Sequence, residues 1–68
     1  NQEADHFAER ISAHSTNPTE RVKWAFLAGL GRHPSPDEVE DMLPFATDQN
    51  LNRLARIIFN TNEFVYVD

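Results

Sequence analysis

The sequence predicts an all-α fold: a compact bundle of four helices, ending in a short C-terminal turn and an extended tail. Three observations predict it. Apolar residues recur at helical spacing through most of the 68-residue chain. Two cap-plus-proline start signals, Asn17-Pro18 and Ser35-Pro36, each follow a break in that spacing. The one run rich in strand formers, Glu63-Phe64-Val65-Tyr66-Val67, has no second strand to pair with.

Helix one is expected over residues 2–14, where Ala4, Phe7, Ala8 and Ile11 line one face and Asp5, Glu9 and Arg10 fall elsewhere. His14-Ser15-Thr16-Asn17 breaks it. Helix two then opens on Asn17, which can accept from the first free amides, and on Pro18, which sits where no amide is needed. Glu20 is spaced to reach back to the cap. Val22, Ala25, Phe26, Gly29 and Leu30 form its stripe, widened by Trp24 and Leu27, which marks it as a central helix. Gly31 supplies a left-handed terminal residue, and Pro34 prevents continuation.

Ser35-Pro36-Asp37-Glu38 repeats the start grammar as a capping box, with acids suited to the positive end of the helix dipole. Val39, Met42, Leu43 and Ala46 are the expected buried face of helix three. Pro44 takes away the bond to Glu40 and so imposes a kink or an early end. After a polar connector, in which Asp48 or Asn50 can cap, Leu51, Leu54, Ala55 and Ile58 line helix four. Asn60-Thr61-Asn62 ends it. The remaining residues read as a helical turn and a tail whose Phe64 and Tyr66 fold back onto the bundle.

Length and composition bound the function. A chain this short is one domain with a small core. It contains no cysteine, which removes disulfides, thiolate nucleophiles, cysteine-ligated zinc and covalent c-type haem. It opens on Asn1 with its single methionine at Met42, the pattern expected of a domain excised from a larger protein. No signal sequence or membrane span is read in it. The net charge is −5, and the deficit lies in the second half, where seven acids face only Arg53 and Arg56. Nucleic-acid binding needs a clustered basic surface and is excluded.

Neither metal, cofactor nor catalytic residues are expected. His6 and His14 are too far apart for a local chelate, and the turn around Pro34 and Pro36 separates His33 from Asp37. The acids Asp37, Glu38, Glu40 and Asp41 crowd the start of a helix, where cap and dipole account for them. The alternating oxygen ligands of a calcium loop are missing. No serine elbow or phosphate-cradling glycine loop occurs. Of Gly29 and Gly31, one reads as a close helix contact and the other as a C-cap. Trp24 and Phe26, two apart on a helix, point in different directions and read as core rather than a stacking pair.

Two stretches carry a resemblance. Leu30-Gly31-Arg32-His33-Pro34-Ser35-Pro36-Asp37-Glu38 forms a Gly-Arg, Pro, capped-acidic turn, and the chain ends Ile57-Ile58-Phe59-Asn60-Thr61-Asn62-Glu63-Phe64-Val65-Tyr66-Val67-Asp68. In this order they resemble the C-terminal part of the planctomycete cytochrome-associated PSD-one family, a domain of unknown function. The resemblance spans about residues 20–68, and Pro44 departs from it. It implies a place in a large exported or periplasmic protein, with no catalytic residue assigned to this segment. Arg32 and Glu63, at opposite helix ends, are expected to pair, unless Arg32 meets the carbonyls closing helix four. The alternative is an exposed recognition patch of Glu63, Tyr66 and Asp68.

These readings combine into one expectation. The chain is a non-enzymatic interaction or scaffolding module whose partner is protein, either other domains of its parent or a separate chain. It would dock through an acidic face of helix three. The competing reading is an accessory piece that completes a redox or hydrolytic site carried elsewhere, with a pocket edged by Trp24, His33 or Tyr66. Peptide or glycan binding would need surface aromatics, and Trp24, Phe45 and Tyr66 are the candidates. Trp24, Arg32, Glu63 and Tyr66 are the residues singled out.

Overall fold

The computed structural model describes residues 2–61. Among them are four α-helices and no strand: α1 (Gln2–His14), α2 (Pro18–Leu30), α3 (Pro36–Met42) and α4 (Leu51–Phe59), with a 3-10 turn, Leu43–Phe45, after α3. The fold is an all-α bundle, as the spacing predicts. The tail from residue 62 onward lies outside the described residues, and with it the expected anchoring by Phe64 and Tyr66.

Each start signal forms by the mechanism its residues imply. Asn17 is extended and its Oδ1 accepts from the Glu20 amide at 3.0 Å. Glu20 does not reach back, however; the Asn17 amide donates to Ser15 Oγ at 2.9 Å. Ser35 closes a full capping box, with Ser35 Oγ taking the Glu38 amide and Glu38 Oε1 taking the Ser35 amide. Gly31 ends α2 at φ +75°, the left-handed position that favours glycine.

Helix three departs from expectation. Pro44 ends α3 at Met42 and tightens the chain into the 3-10 turn, so the four-residue buried face is never built. No residue of α3 is fully buried; Val39 and Met42 lie half-buried against the core, and Ala46 enters it from the following loop. Nor does α4 start on a side-chain cap. Asn50 Nδ2 instead holds the loop, donating to the Pro44 carbonyl and to Thr47 Oγ1.

Helices α2 and α4 each bury four residues, α1 three. Ile11, Val22, Leu54 and Ile58 are, among the described residues, the largest side chains wholly removed from water. Helix α4 packs along α1 and also meets α2 and the 3-10 turn. Gly29 permits that approach: a Cβ there would stand 2.5 Å from Ile58 Cγ2 and 3.4 Å from Phe7 Cζ. The Ile58 methyl is branched directly from Cβ and has little freedom to move aside.

The one buried charge among the described residues is Arg21, 3 % exposed. Its Nε donates to the Ser15 carbonyl at 2.7 Å, its Nη1 to the Ala46 carbonyl at 2.8 Å and its Nη2 to Asp48 Oδ1 at 2.6 Å. One guanidinium thereby joins the α1–α2 turn to the loop before α4.

Three outcomes follow from this architecture. Arg21→Met should destabilise the chain by about 3 kcal/mol in urea unfolding, because two loop carbonyls lose their donor at roughly 1–3 kcal/mol each. Asp48→Ala should cost under about 1 kcal/mol, since its side chain is 83 % exposed and water replaces the partner; equal losses would show that the ion pair, not the carbonyl bonds, sets the value. Gly29→Ala should lower stability by about 1–2 kcal/mol although alanine is the better helix former, with overpacking outweighing the propensity gain. A raised unfolding midpoint would show that α2 and α4 can separate at little cost.

Candidate functional site

Two of the singled-out residues, Trp24 and Arg32, fall among the described residues; Glu63 and Tyr66 do not. Trp24 and Arg32 both belong to the C-terminal half of α2 and the turn after it, yet their described contacts do not overlap.

Arg32 stands just beyond the left-handed Gly31, which turns its side chain back toward α3. Its Nη1 and Nη2 donate to the two oxygens of Glu38 at 2.9 and 2.8 Å, a fork-to-fork pair, and its guanidinium lies 5.4 Å from the Phe26 ring centroid. Glu38 therefore answers three donors at once: the Arg32 fork and the Ser35 amide. These hold its carboxyl down from the ordinary 4.5 to about 2, the Arg32 hydrogen bonds first and the Ser35 amide second. The expected pairing of Arg32 with Glu63 involves a residue outside the described range. The partner found, Glu38, is only six positions away across a turn that two prolines and a cap have already set. The Gly-Arg-Pro turn is thus a structural clamp between α2 and α3.

Trp24 belongs to a different cluster. It is half-buried, and rings follow one another across three helices: Phe59 to Phe7 at 5.4 Å, Phe7 to Trp24 at 5.6 Å, and Trp24 to His14 at 5.5 Å in a stacked arrangement. Arg10 lies 5.6 Å from the indole centroid. Phe26, two residues on, goes into the core instead, so the two aromatics diverge as helical geometry requires. Phe45, the other aromatic of interest, is half-buried against the core from the 3-10 turn.

Beside Trp24 the surface opens into a shallow depression of about 220 Å3, edged by His14, Glu20, Lys23, Leu27 and His33. Leu27 is 48 % exposed and is the large apolar residue most open to water among the described residues. Leu27 and Lys23 escape the sequence reading as site residues, since a leucine in an apolar helix reads as core. Their signal is the wheel: positions 20, 23, 24 and 27 share the face opposite Val22, Ala25, Phe26 and Gly29.

The acids of α3 are divided by the same geometry. Asp37, Glu40 and Asp41 are exposed while Glu38 turns inward to Arg32. Among the described residues, no three of His, Asp and Glu converge closely enough to hold a metal ion, and no helix is long and apolar enough to cross a membrane.

The Glu38 clamp has a pH signature. Its folded-state value lies below the unfolded one, so its contribution is complete above about pH 4.5 and drains away as pH falls toward 2. Unfolding midpoints of the native chain should therefore fall over that window, and those of Glu38→Gln should fall less. Parallel profiles for the two proteins would remove Glu38 as a source of the acid dependence. Comparison of the chain with protein-family models, with curated proteins and with solved structures finds no match.

Proposed function

We propose that this chain is a non-catalytic helical interaction or scaffolding module of a larger exported bacterial protein, of the kind its resemblance to the planctomycete cytochrome-associated family implies. The observation that carries the reading is the Trp24–Leu27 face of α2. There a leucine and the edge of an indole stand open on a helix whose opposite face already fills the core. The paired polar groups have structural duties: the buried Arg21 ties two loops, and the partly exposed Arg32 and Glu38 fix the α2–α3 turn. The displaced titration, at Glu38, is accounted for by that clamp rather than by proton transfer.

The docking face is then α2 rather than the acidic side of α3, where Asp37 suits the helix dipole and Glu38 is taken up by Arg32. The second reading, an accessory piece of an enzyme site carried elsewhere, draws its support from the depression that Trp24 and His33 share. Hydrogen exchange on the 68-residue chain alone and on the native protein isolated from its source tests both. The interaction reading expects slower exchange over residues 23–28 in the native preparation. Equal exchange there would sink it. Leu27→Ser should loosen the association; if association persisted and turnover of the native protein fell, the accessory reading would take its place.

A further inference from the structure

Independently of the α2 face, we propose that the outward side of α4 docks an acidic helical segment of a protein partner. Arg53 and Arg56 stand exposed one helical turn apart, and with Ile57, Asn60 and Thr61 they edge a shallow depression of about 590 Å3. Positions 53, 56, 57 and 60 share one helix face. No acid lines the depression, and neither arginine forms an ion pair among the described residues. Arg21 and Arg32, by contrast, find carboxylates within the chain at 2.6 and 2.8 Å.

The fold accounts for only one of the two charges. Arg56 lies in the last turn of α4, where the helix dipole favours a cation. Arg53 lies in the first turn, where the dipole disfavours one, and no acid of that turn offsets it. Charge complementarity then names the partner. Two guanidinium forks with nothing acidic beside them recognise carboxylates, and carboxylates one turn apart on a helix match their spacing. Half-buried Ile57 next to them offers contact to an apolar residue flanking those acids. A nucleic acid fits less well, because a long polyanion also meets the rest of a surface of net charge −5. Exposed ion pairs are individually weak and screened by salt, so the contact is transient.

The test titrates the native chain with the blocked helical peptide AEAALEAALEAA and with its neutral counterpart AQAALQAALQAA, following amide and arginine Nε–H chemical shifts. Saturable shifts centred on Arg53, Arg56, Ile57 and Asn60 are expected, with the glutamine peptide about tenfold weaker or more. Binding should fall as salt rises from about 0.05 to 0.5 M. The exposed variants Arg53→Gln and Arg56→Gln leave the core intact and should each weaken binding several-fold, while Lys23→Gln changes nothing. Equal binding of the two peptides, or shifts spread evenly over Arg10 and Lys23 as well, would overturn the proposal, and so would no binding at all. A gain of about tenfold on Glu63→Gln would also overturn it, by giving the depression to the chain's own acid.

Discussion

A guanidinium removed from water needs an acceptor on every edge, and Arg21 finds its acceptors in two loops that are far apart in sequence. Its three nitrogens reach the Ser15 carbonyl, the Ala46 carbonyl and Asp48, bridging 25 and 27 residues to the last two. The side chain enters from the first turn of α2, where the helix dipole disfavours a cation. The carbonyls offset that cost, and in doing so they fix where α1 ends and where the chain turns toward α4. The turn that delivers Ala46 to the core and the turn that precedes α2 are joined through this one side chain.

Once those two loops are held, the rest is helix against helix. Gly29 lets α2 approach Ile58 of α4 and Phe7 of α1, and the Phe59–Phe7–Trp24–His14 series runs out from that contact to the surface. At the other end of α2, Gly31, Arg32 and the Ser35–Glu38 box determine the direction in which the short α3 leaves. The chain spends its buried polar chemistry on geometry. What stays in water is the edge of α2 that carries Lys23 and Leu27.

Much of this was legible in the residues. The starts of α2 and α3, the left-handed end at Gly31, the early stop at Pro44 and the divergence of Trp24 from Phe26 all follow from spacing and local chemistry. The burial of Arg21 does not stand out from local spacing, although its position carries a signal: residues 21, 22, 25, 26 and 29 lie on one stripe, so a charge there must either break the face or be satisfied within it. The spacing shows Glu38 as a cap, which it is, but not as the partner of Arg32. That pairing depends on how sharply the prolines fold the turn, which spacing does not give. Leu27 reads as part of the apolar stripe, because a helix rich in apolar residues does not say how many neighbours will cover it.

The sequence by itself determined the fold class, the helix starts and the stops, because caps, prolines and a left-handed glycine act within a few residues of chain. Tertiary structure alone decided which charge is buried, which arginine meets which acid and which apolar residues stay in water. Those outcomes depend on what arrives from elsewhere in the chain: two carbonyls for Arg21, the folded turn for Arg32, and for Leu27 the absence of a fourth helical neighbour among the described residues.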